Sequence, residues 1–138
     1  MGYSRTVELV PSYAITTDLL HSNDPEKLVT ELVYAKVKEI QLIQEPYPFA
    51  SLQFYIDTYN IGGNTVKVKL YRNGVAIGAE HTSNSDGTWA AFTDDIDFTD
   101  LAIDDTFEIW GYRTGGILGK VRNFRVYAKE TPFYNTLE

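Results

Sequence analysis

Asn64-Thr65-Val66-Lys67-Val68-Lys69-Leu70-Tyr71-Arg72-Asn73-Gly74 is the stretch on which the fold turns. Val66, Val68 and Leu70 fall in one phase of a two-residue period and Lys67, Lys69 and Tyr71 in the other, the pattern of a strand with one buried and one wet face. Asn73-Gly74 follows at once. Both residues tolerate positive φ, so the pair predicts a tight type I′ hairpin returning through Val75 to His81. Downstream, Thr88, Ala90 and Phe92 alternate with Trp89, Ala91 and Thr93 on the way to Ile96 and Phe98. From Thr106 to Arg113, Phe107, Ile109 and Gly111 alternate with Glu108, Trp110 and Tyr112. Gly115-Gly116 then marks a turn into a last strand, Leu118 to Lys129. Strands therefore run almost without interruption from Asn64 to Lys129.

Upstream the pattern is less regular. Between Leu32 and Ile43, Val33, Ala35 and Val37 hold one phase and Ile40 and Leu42 the other; the slip falls at Lys38-Glu39, where a β-bulge absorbs it. Pro46 and Pro48 bracket a loop before a strand from Ser51 to Tyr59. An opening strand runs from Arg5 to Val10 and stops at Pro11, which has no amide hydrogen for a ladder. Asn23-Asp24-Pro25-Glu26-Lys27-Leu28 predicts one helical turn, with proline at its first position. Eight or nine strands with frequent turn signals predict an all-β fold, an antiparallel β-sandwich of jelly-roll type. The expected organisation is one domain, 1–138, with extended arms at 1–28 and 130–138.

The bulk numbers exclude several functions. Nineteen acidic and twelve basic side chains give a net charge of -7, which repels phosphate backbones and argues against a nucleic-acid partner. Without cysteine there is no disulfide, thiol nucleophile or thiolate metal site. The N-terminus lacks the apolar core of a signal peptide, and no run is long enough for a membrane helix, so the expectation is synthesis in the cytoplasm and no membrane partner.

Chemistry-bearing motifs are sparse. His21 and His81 have no acidic partner at a recognised metal-ligand spacing and read as exposed loop histidines. No serine sits in a Gly-x-Ser-x-Gly elbow, and the glycine pairs join strand to strand, opening no helix that could hold a phosphate. The reading is therefore non-enzymatic, with no catalytic residue and no cofactor. Asp94, Asp95, Asp97, Asp104 and Asp105 form an acidic run that is a weak candidate for calcium, against the plainer reading of a solvated edge that discourages strand pairing. Trp110 and Tyr112 share one face of their strand, and with Trp89 they are the candidate aromatic contact or sugar-stacking face, with Tyr55, Tyr59 and Tyr71 as candidate neighbours. Burial in the core competes with that reading.

Four segments carry a resemblance: Val66 to Gly78, Gly87 to Phe98, Asp105 to Trp110, and Val121-Arg-Asn-Phe-Arg-Val-Tyr127. Together, over residues 30 to 129, they resemble a β-sandwich module that recurs in structural proteins of tailed phages and related prokaryotic viruses, in capsid decoration, head-fibre or tail-associated domains. Asp104-Asp105 departs from that module's Gly-Asp pair. The resemblance implies a virion structural subunit, made in the host cytoplasm, acting as a homo-oligomer or by docking on other particle subunits. Tyr3, Val7, Leu9, Tyr13, Pro132, Phe133 and Tyr134 are the candidate assembly arms, since an extended arm can lend a strand to a neighbour. The alternative expectation is a carbohydrate-binding β-sandwich module, calcium-assisted or not, with a surface glycan as partner.

Overall fold

A computed structural model describes residues 19–42, 50–63, 65–83, 86–115 and 118–129. The candidate arm residues at both ends, and the expected strand from Arg5 to Val10, lie outside the described residues. Within them the chain forms ten strands and no helix: β1 Leu19–Asn23, β2 Lys27–Leu28, β3 Ala35–Gln41, β4 Ala50–Ile61, β5 Val66–Arg72, β6 Val75–Ala76, β7 His81–Ser83, β8 Trp89–Phe98, β9 Thr106–Arg113 and β10 Leu118–Ala128. All pairings are antiparallel. One sheet has the order β1-β10-β4-β8, with β2 also on β10; the other has β3-β9-β5, with β6 and β7 both on β5. The chain passes from one sheet to the other at each connection except within β1–β2 and β5–β7, which gives the jelly-roll sandwich that the alternation predicts.

The inner phases of the strands meet between the sheets. Leu52, Phe54 and Ile56 of β4 and Val121, Phe124 and Val126 of β10 face Val66, Val68 and Leu70 of β5 and Phe107 and Ile109 of β9. Phe107 is completely buried, with its ring centroid 4.9 Å from that of Phe54 and 5.6 Å from that of Phe98 on the opposite sheet. Gly119 lets the sheets approach at one end: a Cβ there lies 2.7 Å from the Cγ2 of Val66.

Most turns obey the sequence. Asn73 and Gly74 both have positive φ, 50° and 82°, as a type I′ hairpin requires. The return strand from Val75 to His81 is broken into β6 and β7, because the amides of Ile77 and Gly78 both bond the carbonyl of Leu70 and take the chain off the ladder. The helical turn expected at Asn23–Leu28 is absent. Those residues end β1 and form β2, which pairs with β10 through Lys120↔Leu28 and Val121↔Lys27, so tertiary strand pairing overrides the local capping signal.

The bulge in β3 lies slightly earlier than the alternation suggests. Lys36 is paired with Trp110 and Lys38 with Ile109, leaving Val37 as the extra residue. A second bulge sits in β10 between Arg122 and Arg125. There Asn123 adopts φ 56°, a left-handed conformation that asparagine accepts more readily than most residues.

The acidic run is dispersed. Asp105 accepts from Arg72 at 2.7 and 3.2 Å, from Asn73 Nδ2 at 3.0 Å and from the Ala102 amide at 3.0 Å, tying the β8–β9 loop to the β5 hairpin. Asp94 Oδ1 accepts from His81 Nε2 at 3.0 Å, Asp95 accepts from Gln53 at 3.0 Å, and Asp97 accepts from Ser51. Asp94 points inward and Asp95 and Asp97 outward, as successive strand positions must. Among the described residues no three His, Asp or Glu side chains come together to hold a metal ion. His81 is no exposed loop residue: it lies on β7, half-buried and stacked on Phe92 at 4.9 Å.

Two outcomes test this architecture. Phe107→Ala removes the ring that joins the sheets and should lower unfolding free energy by about 3–5 kcal/mol in urea titrations. Burial pushes the Asp105 carboxyl up, but the hydrogen bonds from Asn73, Ala102 and Arg72 outweigh it and hold it below its ordinary value. Its contribution is then fully present above an unfolded value of about 3.9 and is lost as pH falls through the lower folded value. Asp105→Asn should cost about 1.5–3 kcal/mol at neutral pH, and thermal melts of variant and wild type should converge in acid.

Candidate functional site

β9 runs between β3 and β5, so its outward side chains are flanked on both sides. Trp110 is opposite Lys36 on one neighbour and Lys69 on the other, and Tyr112 is opposite Lys67. Tyr71, one diagonal step away on β5, stacks on Trp110 with centroids 4.5 Å apart and planes at 14°. Tyr34, from the turn before β3, meets Tyr112 edge-on at 4.7 Å. The four rings make a strip across the outer face of this sheet, and all four are half-buried, leaving part of each ring in solvent.

Polar groups fix the rings. The indole Nε1 of Trp110 donates to Glu108 Oε1 at 2.9 Å, while Thr106 Oγ1 donates to Glu108 Oε2 at 2.6 Å. Glu108 lies in the outward phase yet is buried beneath these neighbours. The Tyr34 hydroxyl donates to Glu80, and burial followed by that bond raises its pKa well above the usual phenol value. Lys67 donates to Thr82 Oγ1 at 3.1 Å, and the Lys69 ammonium lies 5.0 Å from the Tyr34 ring centroid. Lys36, Lys67 and Lys69 are matched in number by Glu39, Glu80 and Glu108, so the face carries aromatic surface and many hydrogen-bonding groups with no excess of charge.

Trp89 does not join this strip. It stands on β8 in the other sheet, opposite Tyr59, and its ring meets Tyr59 at 5.1 Å. There the Arg122 guanidinium sits 3.8 Å from the Trp89 centroid, and Lys120 lies over both rings at 4.9 and 5.7 Å. The ring surface of Trp89 is thus already engaged by cations. Below it, the buried Asp57 accepts from Arg122 at 3.1 Å, Asn123 Nδ2 at 2.9 Å and the Tyr55 hydroxyl at 2.6 Å. That last bond pushes the Tyr55 phenol up to about 12. The sequence pairs Trp110 with Tyr112 correctly and admits Tyr71 as a neighbour. It misses Tyr34, although the alternation expected from Leu32 to Ile43 puts that residue in the same phase as Lys36, opposite to Val33, Ala35 and Val37.

No protein-family model matches the chain, and no curated protein matches it. Solved structures do. The CBM22-1 xylan-binding domain of Xyn10C from Paenibacillus barcinonensis is 10% identical over 87% of this chain and 100% of that one, with a TM-score of 0.49. The EclA C-terminal domain, a sugar-binding protein, is 13% identical over 90% of this chain and 89% of that one, with a TM-score of 0.47. The C-terminal CBM6 of LamC from Zobellia galactanivorans is 14% identical over 79% and 92%, with a TM-score of 0.44. At such identities the likeness is one of fold. The expectation of a virion decoration, fibre or capsid subunit is corrected to this extent: the three similar structures are described as a sugar-binding protein, a xylan-binding domain and a CBM6, and none as a virion component.

Proposed function

We propose that the chain is a carbohydrate-binding module whose binding face is the outer surface of the β3-β9-β5 sheet. The observation that carries the reading is the strip formed by Tyr34, Tyr112, Trp110 and Tyr71, held in place by Glu108 and Glu80 and rimmed by lysines. Flat apolar rings suit the C–H faces of pyranoses, while ammonium and carboxylate groups at the rim suit their hydroxyls. The rings are restrained before any ligand arrives, which reduces the ordering cost of binding. Because acids and bases balance on this face, it fits a neutral polysaccharide better than a polyanion. The Trp89 face is the weaker candidate, since Arg122 and Lys120 already cover it.

Affinity electrophoresis through gels containing neutral polysaccharides, with a glycan array to identify the sugar, tests the proposal. Trp110→Ala should weaken binding by about tenfold or more, equivalent to ~1.4 kcal/mol, whereas Trp89→Ala on the opposite sheet should leave it unchanged. Retardation that is absent for every neutral glycan, or that survives Trp110→Ala but not Trp89→Ala, refutes the assignment.

A further inference from the structure

The sandwich has an open edge where β1 and β2 of one sheet face β3 of the other. A cleft of about 460 Å³ lies there, lined by Asn23, Pro25, Glu26, Lys27 and residues 36–39. Lys38 is the unusual member. The bulge at Val37 re-aims it: Lys36 stays outward opposite Trp110, while Lys38 turns inward opposite Ile109 and is 5% exposed.

The ammonium of Lys38 makes two hydrogen bonds, both to Asn23: to its carbonyl at 2.9 Å and to its Oδ1 at 2.8 Å. Asn23 is oriented for this, because its Nδ2 donates to the carbonyl of Glu39 at 2.9 Å and so presents the amide oxygen to the lysine. Three donors on an ammonium leave one bond unaccounted for. No carboxylate within ion-pair distance balances the charge among the described residues. The acids around the cleft are committed elsewhere: Asp24 to Arg125 at 2.9 and 3.2 Å, Glu39 to Lys36 at 2.7 Å, and Glu26 to Lys120 at 3.2 Å. Lys27, on the cleft wall, also lacks a carboxylate partner there. A buried ammonium without an ion-pair partner is unfavourable unless something supplies one; burial together with the nearby Lys27 charge lowers the pKa of Lys38, and the Asp24 carboxylate, held by Arg125, offsets this only in part.

We infer that this cleft is an oxyanion site, in which a carboxylate or sulfate group of a ligand enters between β2 and β3 and pairs with Lys38 and Lys27. It adjoins the aromatic strip at Lys36 and Glu39, but its binding groups, Lys38 and Lys27, belong to neither the strip nor its rim, and it does not depend on the carbohydrate reading. The source of the oxyanion is either a free small anion or an acidic unit of a saccharide.

The test is titration of the full chain, followed by amide NMR, with sodium sulfate, sodium acetate and an oligogalacturonate. Saturable shifts should be confined to residues around Asn23–Lys27 and Lys36–Glu39, and Lys38→Met should weaken them about tenfold. Without ligand, Lys38→Met should melt at or above the wild-type temperature, since it removes a buried charge that has no ion-pair partner. Should that variant misfold, the exposed Lys27→Gln should still weaken binding about two- to threefold. Tighter binding of the oligogalacturonate than of acetate identifies an acidic saccharide as the source; equal binding identifies a small anion. Absence of saturable shifts with all three probes, or shifts unchanged in both variants, overturns the inference. Neutral polysaccharide binding serves as the separate control: Trp110→Ala weakens it about tenfold or more while leaving Lys38 and Lys27 in place, and Lys38→Met leaves it intact.

Discussion

Phe107 of β9 is wedged against Phe54 and Phe98 of the facing sheet, and the remainder of the molecule depends on that contact between inner faces. Each sheet is a ladder that cannot bury its own apolar side; only apposition of the two removes those side chains from water. The apolar face runs out at the margins, where the sheets part. There the bridging groups are polar: Lys38 reaches Asn23 on one margin and His81 meets Asp94 on the other. Apolar burial thus sets the distance between the sheets, and directional hydrogen bonds close the sides.

Both outer faces repeat one device. Glu108 on one sheet and Asp57 on the other occupy outward positions yet are buried, each beneath larger neighbours that donate to it. A carboxylate so placed loses hydration, and charge-assisted bonds at about 1.5–3 kcal/mol each are of the size needed to offset that loss. What the device yields differs. Glu108 anchors an indole whose ring stays partly open, whereas Asp57 anchors a guanidinium that lies over one. The difference between the two aromatic clusters therefore originates in the residue that each buried carboxylate holds.

Strand positions in the second half were legible because alternation is a local property of the backbone. β5, β9 and β10, and the Asn73-Gly74 turn, follow from the order of residues alone. Assignment of each strand to a sheet is non-local, which is why Trp89 and Trp110 look equivalent in the sequence and stand on opposite sides of the molecule. β2 was hidden for the same reason: two residues with a capping signal before them become a strand only because β10 offers a partner. Lys38 was hidden by its own pattern. Lys36 and Lys38 read together as a wet face, and only the phase slip beside them indicated that one of the two is turned inward.

That slip gives β3 a distinctive mutational geometry. With Val37 as an extra residue packed against the core, every residue on the Lys38 side is one position out of step with the residues before it. Loss of a single codon at Val37 restores uninterrupted alternation with the pairings Lys36↔Trp110 and Lys38↔Ile109 intact, so Lys38 and the apolar residues beyond it keep their faces and only the bulge is lost. No single substitution has that effect, because substitutions change side chains and leave register alone. The bulge in β3 is thus a feature that a one-residue insertion or deletion adds or removes in one step, with the strand pairings on either side of it unchanged.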